Sequence, residues 1–289
     1  MELHQVRYFV TLARTLNFTR AAADCNVTQP ALTRAIQKLE DELGGTLLFR
    51  ERGLTQLTEL GQAMLPHLRT MLGAAETARR LAGDLLGRQD AQLRLGLGPA
   101  IAAARVAETL TRLARAFPAL AVSFAEDDTP GLTDAMLGGT LDCALLPEAP
   151  DLPERLHRWK LGEEGCAVVL PAAHSLAARE TLTAEDLDGE TLLLGERCGG
   201  FALRLLAETQ GGCALRHCGG SWVQMLDLVG AGLGVALLPD ALPLGPGLVA
   251  RRLAAPELRR GVVLALAAGR PLGGAAAQFV KLCRAREMA

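Results

Sequence analysis

Apolar residues recur at helical spacing up to about residue 86, and in short alternating or continuous runs after residue 91. In the first region Leu32, Ile36, Leu39 and Leu43 fall at i, i+4, i+7 and i+11, which is one buried face of a helix. Thr28 can cap that helix, and Pro30 is tolerated in a first turn whose N–H groups have no helical partner. Gly44 and Gly45 stop it. A shorter helix is expected over residues 20–25, capped by Thr19, with Asn26 and Val27 making the turn between the two. The longer helix carries Gln29, Thr33, Arg34, Gln37 and Lys38 on its opposite face. Residues 47–58 alternate like a short β-hairpin with Arg50 and Arg52 at its tip. Over residues 58–86, Leu60, Met64, Leu68, Leu72, Ala75, Ala78, Ala82 and Leu85 recur at spacings of three and four, predicting a long amphipathic helix bent near Pro66 or Gly73. So long a stripe exceeds what a small helical domain can cover, so pairing with the same helix of a second subunit is expected.

From residue 91 strand and helix patterns alternate. Strands are expected at 92–97, 121–125, 141–146, 166–170, 191–194, 214–217, 235–238 and 261–268. Helices are expected at 101–116, near 131–137, and at 201–209, 222–231 and 274–286. Such alternation predicts a mostly parallel α/β sheet. Two units fit two subdomains, one over about 91–161 plus 267–289 and one over about 162–266, with crossings near Leu161 and Ala268. The whole chain then divides into residues 1–58, a linker helix at 59–88 and an α/β domain at 89–289. In such folds ligands sit in the cleft at strand C-terminal ends. The loops there supply Pro99, Ala100, Ile101, Thr129, Pro147, Cys198, Phe201, Ser221 and Trp222 as ligand-binding candidates. Helix N-termini at Ile101 and Phe201 would offer backbone N–H groups to an anion.

Composition narrows the function. At 49% hydrophobic residues the chain can build real cores, and a net charge of −2 excludes a globally basic nucleic-acid coat. Charge is local instead: up to residue 39, Arg7, Arg14, Arg20, Arg34 and Lys38 outnumber Glu2 and Asp24. A sequence-specific DNA reader needs only such a footprint. In the longer helix, Gln29, Thr33 and Arg34 stand where base edges would be read, with Pro30 beside them, and Thr28, Lys38, Arg50 and Arg52 would hold phosphates or the minor groove. No membrane span and no signal peptide are expected, and scattered cysteines without a C-x-x-C pair fit a reducing cytoplasm. The dispersed histidines lack metal-ligand spacing, and no P-loop or G-x-S-x-G occurs, so no catalytic residue, metal or cofactor is expected. Asp127-Asp128 and Glu163-Glu164 read as solvated pairs at loop edges. Cys198 follows a strand, beside Arg197 and ahead of a helix N-terminus, both of which favour a thiolate; Cys213 and Cys218 are its possible partners, and at most one of the two can face it.

The opening MELHQVRYFVTLARTLNFTRAA, then VTQPALTRAIQKLEDELG, LLFRER and LTELG, resemble the winged helix-turn-helix of LysR-type transcriptional regulators. The remainder is consistent with that family along its whole length. The resemblance implies a periplasmic-binding-protein-like effector domain, dimerisation through the linker helix, and a tetramer built from dimers. It implies double-stranded promoter DNA and a small-molecule effector as partners, with RNA polymerase a further one at the promoter. The wing here is shorter and less basic than the family pattern. Pro99-Ala100 stands where many relatives place a Ser or Thr that holds a carboxylate, which disfavours a simple carboxylate inducer. Peroxide-sensing members carry a reactive cysteine in about the region of Cys198, giving a redox-responsive alternative. A third reading makes the α/β half a small-molecule-binding protein or enzyme whose N-terminal helices only dimerise it.

Overall fold

The computed structural model describes residues 1–51, 54–85, 91–195, 200–208 and 212–287. Its contacts divide into two compact units, Met1–Arg88 with Asp134–Thr140, and Gln89–Thr133 with Leu141–Ala289.

The first unit holds α1 (Leu3–Thr15), α2 (Phe18–Asp24), α3 (Gln29–Leu43), β1 (Leu48–Glu51), β2 (Leu54–Leu57) and α4 (Glu59–Leu85). Asn17, rather than Thr19, caps α2: its side-chain oxygen accepts the Arg20 N–H at 2.9 Å, and Thr19 lies inside the first turn. Thr28 caps α3 by accepting the Ala31 N–H at 3.4 Å, and Gly44 closes the helix at φ +75°. Leu32, Ile36 and Leu39 are fully buried with Phe9 and Leu12, so the predicted apolar face is the core of this unit. Glu40 is buried beside them, and its Oε1 accepts the Leu47 and Leu48 N–H groups at 2.7 and 3.3 Å, tying β1 to α3. The predicted hairpin forms, with Leu48 opposite Leu57 and Arg50 opposite Thr55. A β-carbon on Gly61 would lie 2.1 Å from the Leu47 carbonyl oxygen, so only glycine lets α4 start this close to the hairpin.

Residues Leu60, Met64, Leu68 and Leu72 of α4 pack onto this same core. Only the first half of the stripe is covered by this core. Ala78 and Ala82 are exposed.

The second unit continues with β3 (Gln92–Leu97), α5 (Ala107–Ala116), β4 (Ala121–Glu126), the start of α6 (Thr129–Gly138, assigned to the first unit from Asp134), β5 (Cys143–Pro147), β6 (Leu156–Pro171), β7 (Thr181–Thr183), β8 (Thr191–Leu194), α7 (Phe201–Glu208), β9 (Ala214–His217), α8 (Trp222–Gly230), β10 (Val235–Pro239), β11 (Leu248–Ala255), β12 (Arg259–Ala267) and α9 (Gly274–Glu287). The strand order is β4-β3-β5-β12-β6-β10-β8-β9, with β11 paired to β6 and β7 paired to β11. Pairing is parallel among β3, β4 and β5 and among β8, β9 and β10, but β6 and β12 run antiparallel to their neighbours. The sheet is thus mixed rather than mostly parallel.

β6 accounts for most of the departures from the expected elements. The apolar run at 166–170 is only its buried end; the polar stretch before it is also strand, because it pairs with β12 over residues 156–165. One continuous strand of roughly 50 Å serves both halves. The crossings therefore fall between Gly165 and Cys166 and at Leu258–Arg259, not near Leu161 and Ala268. β7 and β11 were not foreseen either, since their pattern does not alternate cleanly. Each half has its own core, one around Leu93, Leu145, Val262 and Phe279, the other on two faces of β8 and β10, around Leu192 and Leu237 and around Leu193 and Ala236.

Ile36→Ala should destabilise the first unit by about 2–5 kcal/mol, because a fully packed site cannot collapse around the cavity. Gln37→Ala, one residue on and exposed, should stay within about 0.5 kcal/mol. Urea unfolding followed by circular dichroism measures both; equal costs would contradict the assigned helix faces.

Candidate functional site

Each unit presents one candidate site. In the first, α3 exposes Gln29, Pro30, Arg34, Gln37 and Lys38 on the side away from Leu32, Ile36 and Leu39, with Thr28 exposed at the cap and Thr33 half-buried. The Arg34 Nε donates to the Pro30 carbonyl at 3.3 Å, holding the side chain along the helix surface. Small hydrogen-bonding groups thus stand at the N-terminal end of the helix and cations further along. That is the arrangement with which a recognition helix meets base edges and phosphates. Thr19 and Arg20 of α2 are also exposed. In the hairpin, Phe49 is 56% exposed, an aromatic surface that strand alternation alone did not mark as functional. Arg52 lies outside the described residues, and for Arg50 the structure gives the backbone pairing only.

In the second unit the candidates come from both halves. The Gly98 N–H donates to the Leu145 carbonyl at 2.8 Å, which sets the loop after β3 beside Pro147. Ala100 and Ile101 are buried, each 2% exposed. Ala100 adopts φ +51° and packs in one cluster with Val169, Leu193 and Ala236, against which Cys218 and Trp222 also pack. Phe201, fully buried, opens α7. Trp222 thus shares the neighbourhood of Ala100, whereas Ile101 packs into the core of the first half and Phe201 onto the other face of the second half's sheet. Ser221 adjoins Trp222 as the residue before α8, where its N–H donates to the Gln224 side chain at 2.6 Å. Thr129 sits half-buried at the first residue of α6, and no described side-chain hydrogen bond joins it to this group.

One expectation is corrected here. Ile101 does not begin a helix: a 3-10 turn over Ala103–Val106 precedes α5, so the chain offers no α-helical N-terminus at that loop. At the C-terminal ends of β8 and β9 lies a cavity of about 440 Å³, lined by Leu193, Leu194, Ala202, Leu203, His217 and Cys218 among others. Gly195 and Gly200 also line it. Cys198, between them in sequence, lies outside the described residues, so no geometry bears on its pairing. Cys213 packs with the Leu192 face of the sheet and Cys218 with the Leu193 face. The two thiols thus sit on opposite faces, as their odd separation predicts.

Sequence reasoning missed the polar centre of this unit. Glu164 is 4% exposed and not solvated. Its Oε2 accepts from Arg105 at 2.6 Å and its Oε1 from the Nε of Arg260 at 2.6 Å. Arg260 also donates to the Ala100 carbonyl at 2.9 Å, and its guanidinium carbon lies 5.5 Å from the centre of the Phe201 ring. Burial pulls the Arg260 guanidinium down from its ordinary value, against the opposing pull of Glu164. No local signal in the sequence marks a cluster whose members lie 59, 96 and 160 residues apart. Among the described residues no group of His, Cys, Asp and Glu is placed to hold a metal ion.

Comparison with known proteins bears on both sites. Residues 3–62 match the model described as bacterial regulatory helix-turn-helix protein, lysR family, and residues 87–287 match the LysR substrate binding domain. The chain is 31% identical to the DNA-binding transcriptional dual regulator OxyR of Escherichia coli K12, over 99% of this chain and 96% of that protein. It is 31% identical to the hydrogen peroxide-inducible genes activator of Dickeya chrysanthemi, over 95% and 92% of the two chains. Among solved structures, a full-length OxyR variant from Pseudomonas aeruginosa shares 29% identity and a TM-score of 0.66 over 98% of each chain. CbnR, a LysR family transcriptional regulator, gives a TM-score of 0.75 over 99% of each at 22% identity, a likeness of fold.

The thiols divide by environment. Burial pushes Cys166 up to about 12, and burial, with Asp142 and Cys283 nearby, pushes Cys143 well above its ordinary value. The thiolate is the reactive form and grows as pH rises through the pKa, so at pH 8 Cys166 stays almost wholly in the unreactive thiol form. Brief alkylation of the native protein at pH 8, read by mass spectrometry, should label the cavity-lining Cys218 and leave Cys143 and Cys166 unlabelled. Labelling of Cys143 or Cys166 at the rate of Cys218 would contradict this.

Proposed function

Because the chain belongs to the LysR family of DNA-binding transcriptional regulators, which carry an effector-binding C-terminal domain, we propose that it reads a two-fold symmetric promoter site through α3 and answers to a small molecule bound in the cleft of its second unit. The observation that carries this reading is the exposed face of α3. There Gln29, Thr33 and Arg34 read bases, while Thr28, Pro30 and Lys38 position the helix and Arg50 and Arg52 reach the backbone or the minor groove. Residues 1–58 act as the DNA-binding domain, 59–88 as the dimerisation helix and 89–289 as the regulatory domain. The exposed Ala78 and Ala82 leave the later part of α4 for the partner helix, and dimers pair into a tetramer. Two recognition helices then span the operator, in the cytoplasm where promoter DNA and RNA polymerase are met. The role is regulatory, with no catalytic step.

The effector sits among Pro99, Ala100, Ile101, Thr129, Pro147, Phe201, Ser221 and Trp222; Cys198, also a candidate, lies outside the described residues. It shifts the protein between two arrangements by its difference in affinity for them. Ala100 has no hydroxyl to offer a carboxylate, which favours an effector held by other contacts.

The names of the OxyR-like relatives support a second reading, in which a thiol rather than the cleft takes the signal. Cys198 would be the sensor and Cys213 or Cys218 its partner.

Footprinting on a promoter site tests the DNA reading. Arg34→Ala should weaken specific binding by about 1–3 kcal/mol, and Lys38→Ala should weaken binding uniformly and lower the salt slope by about 1. A wild-type protein without a site-selective footprint would sink the proposal. For the second reading, Cys198→Ser should abolish a peroxide response in a reporter assay; an unchanged response assigns sensing to the cleft.

A further inference from the structure

Arg260 contacts three separate elements of the second unit: β6, the loop after β3 and the first residue of α7. It stands on β12 directly opposite Glu164 on β6, beside the Gly165–Cys166 step where β6 passes from one half to the other and one residue after the chain crosses back at Leu258–Arg259. Its Nε binds Glu164, its Nη2 binds the carbonyl of Ala100 in the loop after β3, and its guanidinium lies against the ring of Phe201, the first residue of α7. Ala100 belongs to one half of the sheet and Phe201 to the other. The same stretch of β12 is held to α7 again, since Arg204 donates to the Arg259 carbonyl at 2.6 Å.

Ala100 shows that this contact constrains the loop. A residue with a β-carbon at φ +51° sits in the sparsely populated left-handed region, and such a conformation persists only where surrounding contacts over-determine it. Arg260 supplies one of those contacts, and the Val169, Leu193 and Ala236 side chains supply the rest. A planar fork that donates in several directions at once suits the task, which a single ammonium cannot perform.

We propose that Arg260 is the positioning residue of the effector cleft: it fixes the separation of the cleft's two lips, the 98–101 loop and the N-terminus of α7, and the Arg105–Glu164 pair holds it there. This rests on the reading of that neighbourhood as the effector site. Movement of either lip then has to break or re-aim the Arg260 contacts. Ligand occupancy is thereby felt at the strands that join the two halves.

Hydrogen–deuterium exchange on the full-length protein without added ligand tests this, with wild type, Arg260→Lys and Arg260→Met compared and thermal unfolding run on the same samples. Both variants should exchange amides of 100–106 and of 200–205 at least tenfold faster than wild type, with β3 and β8 unchanged. Arg260→Lys, which keeps a cation beside Glu164, should recover most of the thermal stability but not the slow exchange at either lip. Changes confined to 163–165 and 259–261, or a lysine that restores both lips, would overturn the proposal and leave an ordinary buried ion pair. Wild-type footprinting distinguishes the two levels. Loss of the lip effect with an intact footprint refutes this inference alone. A missing footprint with the lip effect present refutes the DNA reading and leaves Arg260 in its positioning role.

Discussion

A carboxylate buried where two halves of a sheet meet must find cations, and Glu164 finds two. One guanidinium, from Arg105, comes from the turn before α5; the other, from Arg260, comes from the strand opposite. Removing a charge from water costs several kcal/mol, and breaking such a pair from one side costs about 3–5 kcal/mol because the survivor stays buried. The geometry of the second unit follows from satisfying this group. β6 and β12 must stay paired up to the crossing, Arg105 must face them, and the loop carrying Ala100 must approach close enough to accept from the Nη2 of Arg260. A buried ion cluster of this kind is weak evidence for stability. Its value here is in specifying how the two halves are spaced.

The first unit solves a different problem, the building of a helix with one face for the core and a polar face left exposed. Leu32, Ile36 and Leu39 fill the core, which leaves Gln29, Arg34 and Lys38 no role in packing and frees them for recognition. Glu40 does for the hairpin what Glu164 does for the sheet: one buried carboxylate accepts two backbone N–H groups and fixes the hairpin against the helix that would lie in the groove. Regulation by an effector requires only that the cleft have two arrangements differing in affinity for it. Where the lips of the cleft meet at Arg260, a small displacement meets a discrete set of hydrogen bonds rather than a soft surface.

Legibility in the sequence followed the range of the interaction. Helix α3, its Thr28 cap, its Gly44 stop and the hairpin after it rest on contacts within a few residues, and all were readable. Asn17 was passed over for Thr19 because both are good caps and only the backbone decides between them. The polar half of β6 carries no apolar alternation to announce it, since its strand character comes from β12, nearly a hundred residues away. The Glu163-Glu164 pair read as solvated for the same reason: the arginine that buries Glu164 is 96 residues downstream. The candidate cleft loops follow from topology alone, because strand C-terminal ends converge whatever the sequence. Which groups hold those loops was invisible until Arg260 was placed.

A double-mutant cycle between Glu164 and Arg260, using Glu164→Gln and Arg260→Met singly and together in denaturant unfolding, measures the central constraint most directly. Two groups sharing one buried network should show a coupling of about 1–3 kcal/mol, the double variant losing less than the sum of the singles. Single-variant costs that add to within about 0.3 kcal/mol would show that the two residues act independently, and the account of how the halves are spaced would fail.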